Sequence, residues 1–121
     1  MPPPDAWQFE AIGTAWQIDT AKPLAQPAVA DVLGCIRRFD KTWSRFRDVS
    51  LISDIARGPG EWELPPEADT LLTFYDELYV LTNGAVNPLI GRTLSDLGYD
   101  AGYSFVESVR PAAVPRWDTV E

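Results

Sequence analysis

The sequence of 121 residues contains no histidine, a single cysteine and no long apolar run. Without histidine, the chain cannot form a serine-type triad, a Cys–His nucleophile or the usual zinc sites. Cys35 alone excludes an intrachain disulfide and any CxxC metal or redox motif. No apolar run reaches the ~18–20 residues needed to span a bilayer. The N-terminus lacks the basic residues and apolar core of a signal peptide. These absences predict a cytoplasmic protein without a membrane span.

Positive charge is also scarce, since 10 basic residues face 18 acidic ones and give a net charge of −8. This balance argues against a nucleic-acid partner, because phosphate binding is built from clustered Lys and Arg. With 45% hydrophobic and 12% aromatic residues, the composition is typical of a folded globular chain of one domain's length.

Residue patterns in the first half predict strands followed by a long helix. Residues 7–20 are rich in aromatic and β-branched residues, which favours one long bent strand or two short ones with Gly13 at the bend. A helix beginning near Pro27 is indicated by apolar residues at gaps of three and four: Val29, Leu33, Ile36, Phe39, Trp43 and Phe46. A short helix over residues 48–56 follows, with Ser50 as a plausible cap.

The second half predicts two more helices and little further strand. Residues 61–64 are expected to form a brief strand, and residues 66–81 a helix that ends at Asn83-Gly84. The apolar side of this helix is predicted to consist of Ala68, Leu71, Leu72, Tyr75, Leu78 and Tyr79. Asn87-Pro88 is a cap followed by a first-turn proline, so a short helix is expected over residues 88–96. The predicted fold class is α+β, with a small, mostly antiparallel sheet and about three helices.

Two segments of the first half could bind a ligand. In Gly13-Thr14, a glycine lets a ligand approach the backbone and a hydroxyl can meet a phosphate or sugar; a plain β-bend is the alternative. Half of the basic residues fall between positions 37 and 47. Three of them, Arg37, Lys41 and Arg45, are spaced four apart beside the aromatic stripe. They could hold a nucleotide, or they could form a solvated helix face.

A third segment, residues 82–94, reads Thr-Asn-Gly-Ala-Val-Asn-Pro-Leu-Ile-Gly-Arg-Thr-Leu. This segment predicts a loop that runs into the N-terminus of a helix. Free backbone N–H groups at a helix N-terminus favour binding of an anion. Arg92 adds a positive charge in the first turn. Capping chemistry alone also explains Asn83, Gly84, Asn87 and Pro88.

Taken in order, these motifs resemble the N-terminal region of the ApbE family. The resemblance rests on Gly-Thr in a strand, Trp-Ser-Arg-Phe-Arg-Asp-x-Ser at the end of a helix, and the 82–94 motif followed by Leu-Gly-Tyr-Asp. It covers most of residues 9–103. ApbE proteins are FAD:protein FMN transferases, formerly described as thiamine-biosynthesis lipoproteins. They cleave FAD at its pyrophosphate and attach FMN to a threonine hydroxyl of a target flavoprotein, with Mg²⁺.

The resemblance implies a set of FAD-binding residues. They match the family's Met-Gly-Thr, Ser-x-Tyr/Phe, following serine and Gly-Ala-Phe-Asp-Pro-x-x-Gly positions: Ile12, Gly13, Thr14, Ser44, Phe46, Ser50, Gly84, Asn87, Pro88 and Gly91. Three residues depart from the family pattern. Ile12 replaces methionine, Phe46 lacks a tyrosine hydroxyl, and Asn87 replaces an aspartate with a neutral amide that both donates and accepts.

The resemblance also divides the chain. Residues 1–6 are expected to be a disordered Pro-rich terminus, residues 7–103 the ApbE-like N-terminal region, and residues 104–121 an extended linker towards a missing C-terminal half. The family's magnesium-binding Asp and Thr belong to that half, and we find no acidic cluster here to replace them. We therefore expect no catalytic residue or metal ligand in this chain, and little or no transferase activity from it alone.

Two other functions fit the same residues. The chain could be a non-catalytic flavin- or nucleotide-binding module, which needs the aromatic and basic contacts but no metal. It could also be an inert truncated fragment, which would expose an unpaired strand edge and an apolar face.

Overall fold

The computed structural model describes residues 5–120 of the chain, which form two compact units divided between Ala56 and Arg57. The first unit contains strands β1 (Asp5–Ala11) and β2 (Thr14–Thr20), followed by helices α1 (Gln26–Trp43) and α2 (Leu51–Ala56). The second unit begins with helix α3 (Glu67–Leu81).

After α3, a 3-10 helix (Pro88–Ile90) runs directly into α4 (Gly91–Asp96), and a second 3-10 turn lies at Trp117–Thr119. Two antiparallel strands and four α-helices make the fold α+β, which confirms the predicted class.

The two strands form a hairpin with one aromatic face. Phe9 pairs with Trp16 and Trp7 with Ile18. The Trp7 and Phe9 rings stack with centroids 4.2 Å apart, and the Phe9 and Trp16 rings with centroids 6.0 Å apart. The opposite face is polar, and Gln8 donates a hydrogen bond of 2.8 Å to its partner Gln17. This alternation follows the period of two that a strand imposes on its side chains.

The hairpin confirms two short strands rather than one bent strand. β1 starts at Asp5, which pairs with Thr20, so ordered strand begins two positions before the predicted start at residue 7. Residues 1–4 of the terminus predicted to be disordered lie outside the described residues.

Helix α1 ends earlier than its apolar pattern indicates. Trp43 is its last residue, because Ser44 adopts an extended backbone with φ −76° and ψ 118°. The prediction that Phe46 continues the apolar stripe and Arg45 the basic stripe of this helix is therefore wrong. Both lie in the loop before α2, and that helix starts at Leu51 rather than at residue 48. The predicted cap is confirmed, since the Ser53 amide donates to Ser50 Oγ over 3.1 Å.

Helix α3 follows its predicted pattern closely. Its predicted apolar residues are buried or half-buried, whereas Phe74, Val80 and Leu81 on the other side are 57%, 77% and 80% exposed. The helix ends in a Schellman motif. The Gly84 amide donates to the Tyr79 carbonyl over 2.8 Å, and the Asn83 amide to the Val80 carbonyl over 3.2 Å.

The predicted strand at residues 61–64 is wrong. These residues have no regular secondary structure, and Trp62 and Leu64 are 41% and 40% exposed. A strand requires a hydrogen-bonded partner, and the described residues of the second unit include no other strand to supply one.

The C-terminal segment (residues 104–120) turns back onto its own unit, in contrast to the linker expected there. The Phe105 amide donates to the Gly98 carbonyl over 2.9 Å, and the Ser108 amide to the Asp96 carbonyl over 2.6 Å. Further along, Thr93 Oγ1 donates to the Ala112 carbonyl over 2.7 Å. The segment lacks helix or strand over most of its length, so other parts of the unit supply these hydrogen bonds.

Few residues are deeply buried. Within residues 5–120, Ser50, Ala68 and Gly98 are the buried positions, and most apolar side chains are half-buried. None of the helices in this range combines the length and hydrophobicity that a bilayer crossing requires.

Among the glycines of the second unit, Gly98 lies closest to other backbone atoms. Its φ is +99°, and a Cβ built there would lie 2.7 Å from Phe105 C and Val106 N. We expect Gly98→Ala to destabilise the unit by about 2 kcal/mol or more, because both the backbone conformation and the space exclude a side chain. Urea unfolding of the full chain measures the change.

Gly91→Ala is the matched control. Gly91 has helical φ and ψ of −55° and −43°, and a Cβ there would meet nothing within 4 Å. It should leave stability unchanged or raise it by up to about 1 kcal/mol. Equal stability losses in the two variants would contradict this account of Gly98.

Candidate functional site

The first group of predicted FAD-binding residues forms the hairpin turn. Ile12 and Gly13 both have positive φ, 48° and 72°, the pattern of a type I′ turn. Thr14 begins β2 opposite Ala11. All three predicted residues are exposed, and a Cβ at Gly13 would meet nothing within 4 Å. The turn therefore leaves its backbone accessible to a ligand.

The second predicted group shares one loop between α1 and α2. The Phe46 amide donates to Ser44 Oγ over 3.3 Å, and Ser50 Oγ lies 2.8 Å from the Ser44 carbonyl oxygen. Ser50 is only 4% exposed, and its hydroxyl also lies 2.9 Å from Ser53 Oγ. The structure thus brings Ser44, Phe46 and Ser50 together, and the Ser50 hydroxyl is hydrogen-bonded within the chain.

The basic residues near this loop fall into two sets. Arg47 pairs with Asp40 at 2.6 Å, and the Arg45 guanidinium lies over the Phe46 ring, 4.3 Å from its centroid. The second set projects from α1 and is exposed: Arg37, Arg38 and Lys41. Arg45 and Arg47, the basic residues on either side of Phe46 in this loop, are therefore already in contact with other groups of the chain.

The third predicted group lies in the second unit, at the start of the 3-10 helix. The Leu89 amide donates to Asn87 Oδ1 over 2.9 Å, so Asn87 caps this helix as predicted. Pro88 is its first residue. The capping bond occupies one of the N–H groups that a bound anion would use. Asn87 Nδ2 donates in the other direction, to the Pro115 carbonyl over 2.8 Å.

Gly84 and Asn87 line a cleft of about 380 Å³ in the second unit. One wall comes from the end of α3 and the loop after it, and the other from the C-terminal segment. The lining residues are Tyr79, Asn83, Gly84, Ala85, Asn87, Ile90, Val114, Pro115 and Arg116. Of the residues predicted to bind FAD in this unit, Pro88 and Gly91 do not line it.

Arg116 is the cation among the residues that line the cleft. Its Nε lies 3.0 Å from Asp118 Oδ1, and its second terminal nitrogen 2.6 Å from Oδ2. The hydrogen bond and charge of Asp118, together with contact to Tyr79, raise the pKa of Arg116. The hydrogen bond from Arg116 in turn lowers the pKa of Asp118. The guanidinium thus makes a two-point contact with the Asp118 carboxylate at the surface.

The sequence does not reveal the wall of the cleft formed by Val114, Pro115 and Arg116, because it predicts a linker over residues 104–121. The signal available was Trp117, a large side chain unusual in a solvated linker. Its indole Nε1 donates to Asp76 Oδ1 of α3 over 2.7 Å, which fixes the segment beside the helix.

A magnesium site does not fit the described residues. Divalent cations of this kind are held by carboxylate and other oxygen ligands. Residues 5–120 contain no group of three or more His, Cys, Asp or Glu side chains that could hold a metal ion.

Two of three comparisons with known proteins give a match. The ApbE family model matches residues 12–116. A sequence comparison with curated proteins finds no match. The chain is similar in structure to the ApbE protein of Thermotoga maritima, with a TM-score of 0.68 and 25% identity over 87% of this chain and 36% of that one.

A second solved structure shares the fold. It is the flavinyl transferase ApbE of Pseudomonas stutzeri in its apo form, with a TM-score of 0.72 and 16% identity over 91% of this chain. The present chain spans 36% of the length of each of these two structures.

The hairpin turn generates a test of backbone strain. A β-branched residue in the left-handed region is unfavourable, and Ile12 has φ 48°. We expect Ile12→Asn to stabilise the hairpin by about 0.5–1 kcal/mol, since asparagine tolerates this conformation. Amide hydrogen exchange of Phe9 and Trp16 should slow by a few-fold.

Ala15→Asn provides the control, because Ala15 is exposed on the polar face of β2 and is not among the positive-φ residues. It should give no such protection. Faster exchange in Ile12→Asn than in the unaltered chain would show that the turn carries no relievable strain.

Proposed function

Because the chain belongs to the ApbE family, we propose that it supplies part of the FAD-binding region of a FAD:protein FMN transferase. The observation that carries this proposal is the family match over residues 12–116, which spans the hairpin turn, the loop after α1 and the cleft lined by Gly84 and Asn87. The P. stutzeri protein of similar fold is a flavinyl transferase, which supports the same reaction class.

The cleft combines apolar and charged groups in a volume that could take part of a small molecule. Its volume of about 380 Å³ lies at the lower end of the ~300–1,000 Å³ usual for ligand pockets. Ile90, Val114 and Pro115 give it apolar walls, while Arg116 presents a guanidinium. FAD combines flat ring systems with a pyrophosphate, and Arg is well suited to phosphate oxygens. A cleft of this size accommodates part of FAD, and the rest would contact other residues.

We assign binding and orientation of FAD to this chain, and not the transfer step. In that step the acceptor threonine oxygen bonds to the FMN phosphorus. The pyrophosphate bond breaks, AMP leaves with the bonding electrons, and the hydroxyl proton passes to a base. Such reactions depend on metal-assisted charge neutralisation, and the described residues do not fit a magnesium site. Little or no transfer is therefore expected from the 121 residues alone.

A second candidate function is a flavin- or nucleotide-binding module without catalysis. The observation that favours it is Asn87, where the family has aspartate. Its amide is already hydrogen-bonded to Leu89 and Pro115 within the chain. Magnesium-dependent conversion of FAD separates the two functions. An inert fragment, the third possibility, would lack cooperative unfolding.

We expect saturable FAD binding to the purified chain, measured by equilibrium dialysis and flavin fluorescence with and without Mg²⁺. Ala85 lines the cleft and is exposed, so Ala85→Leu should fill it without disturbing packing. This variant should weaken FAD binding about tenfold, which corresponds to roughly 1.4 kcal/mol.

Ala101→Leu is the matched control, since Ala101 is exposed and is not a lining residue of the cleft. Its FAD affinity should equal that of the unaltered chain. Absence of FAD binding to a cooperatively folded chain would overturn the proposed contribution to the pocket. Equal affinity of the two leucine variants would place the flavin outside this cleft.

A further inference from the structure

We infer that Asn87 is a positioning residue that fastens the C-terminal segment against the cleft, and that this role requires its amide nitrogen. The side chain uses its two ends for different partners. Oδ1 accepts from the Leu89 amide over 2.9 Å, and Nδ2 donates to the Pro115 carbonyl over 2.8 Å. The inference concerns the chain's own geometry and does not depend on flavin being the ligand.

The partner at the second end restricts the chemistry. Pro115 has no backbone N–H, so its carbonyl oxygen is the polar backbone group that it can offer. A carbonyl needs a donor, and the amide NH₂ of Asn87 provides one. An ionised aspartate would keep the bond from Leu89, because carboxylates cap helices as well as asparagine does. It would, however, place an acceptor oxygen against the Pro115 carbonyl oxygen, where no hydrogen bond can form.

The fastened residues are those that build one wall of the cleft. Val114, Pro115 and Arg116 all line it, and Pro115 is the residue that Asn87 holds. Other hydrogen bonds attach the segment on either side, from the Ala112 amide to Asp96 Oδ2 over 2.9 Å and from Trp117 to Asp76 over 2.7 Å. Asn87 is thus an attachment within the lining itself, between the other two, and Arg116 is in contact with Tyr79 across the same cleft.

An aspartate at position 87 could cap the helix but could not donate to Pro115. Asn87 does both. The position of residues 114–116 is therefore coupled to the amide at position 87.

Asn87→Asp tests the inference, because it removes the donor and preserves the cap. We expect the ¹⁵N heteronuclear NOE values of Val114 and Arg116 to match those of α3 in the unaltered chain. In the variant they should fall clearly below the α3 values, because the bonds at Ala112 and Trp117 hold the segment only on either side, while the Leu89 and α3 amides are unchanged. A purely structural capping role would leave residues 114–116 unaffected.

Asn83→Asp is the matched control. It introduces the same charge beside the same cleft, and Asn83 has positive φ, which aspartate also tolerates. Within the described residues the Asn83 side chain makes no hydrogen bond. The NOE values of residues 114 and 116 should not change in this variant. Equal loss of order in both variants, or no loss in Asn87→Asp, would overturn the inference.

A measurement on the unaltered chain covers the case in which Asn87→Asp unfolds. One side-chain amide proton of Asn87 should exchange with solvent at least about tenfold more slowly than those of Asn83. Equal exchange rates for the two asparagines would refute the hydrogen bond on which the inference rests, whatever the variant does.

Discussion

The C-terminal segment has little secondary structure, so its backbone polar groups depend on hydrogen bonds from elsewhere in the second unit. Several come from the short stretch that starts at Asn87 and ends with α4. Asn87 donates to the Pro115 carbonyl, Thr93 donates to the Ala112 carbonyl, and Asp96 accepts from the Ala112 amide. Ala112 is half-buried, and a backbone group there without such a partner is unfavourable. The wall of the cleft therefore depends on Asn87 and on two side chains of α4, a helix of only six residues.

Local signals in the sequence were sufficient for the regular elements. The apolar period of α3, its Asn-Gly stop and the caps at Ser50 and Asn87 all appear in the structure as predicted, because each depends on neighbours within a few residues. The failures have a different cause. The end of α1 is set by the backbone of Ser44, and residues 61–64 lack the partner strand that only tertiary structure could supply. The apolar periodicity of the sequence predicts neither the end of α1 nor the absence of a partner strand.

The residues of the candidate site also fall into those with a local sequence signal and those placed by tertiary structure. Ordered motifs predicted the hairpin turn, the loop after α1 and one side of the cleft as ligand-binding, whereas Arg116 had no local signature. Its place in the cleft comes from hydrogen bonds that join residues 28 and 41 positions apart. Tyr79 lies beside Gly84 for a local reason, because the Gly84 amide donates to its carbonyl at the end of α3. A motif also gives the position of a residue without giving its hydrogen-bond partners. The amide oxygen of Asn87 accepts from Leu89 and its amide nitrogen donates to Pro115. A residue in a motif can therefore serve hydrogen bonds within the chain as well as contacts with a ligand.

The hairpin limits how its sequence can change over evolution. Trp7, Phe9, Trp16 and Ile18 share one face only because their pairing keeps them in phase. Replacing one apolar residue by another would keep this arrangement, but inserting or deleting a single residue within a strand would send all subsequent side chains of that strand to the other face. The aromatic stack would then lose its partners, and Gln8 or Gln17 would take their place. We therefore expect related sequences to vary in residue type within each face of β1 and β2, apolar on one and polar on the other, while conserving the number of residues on each side of Gly13.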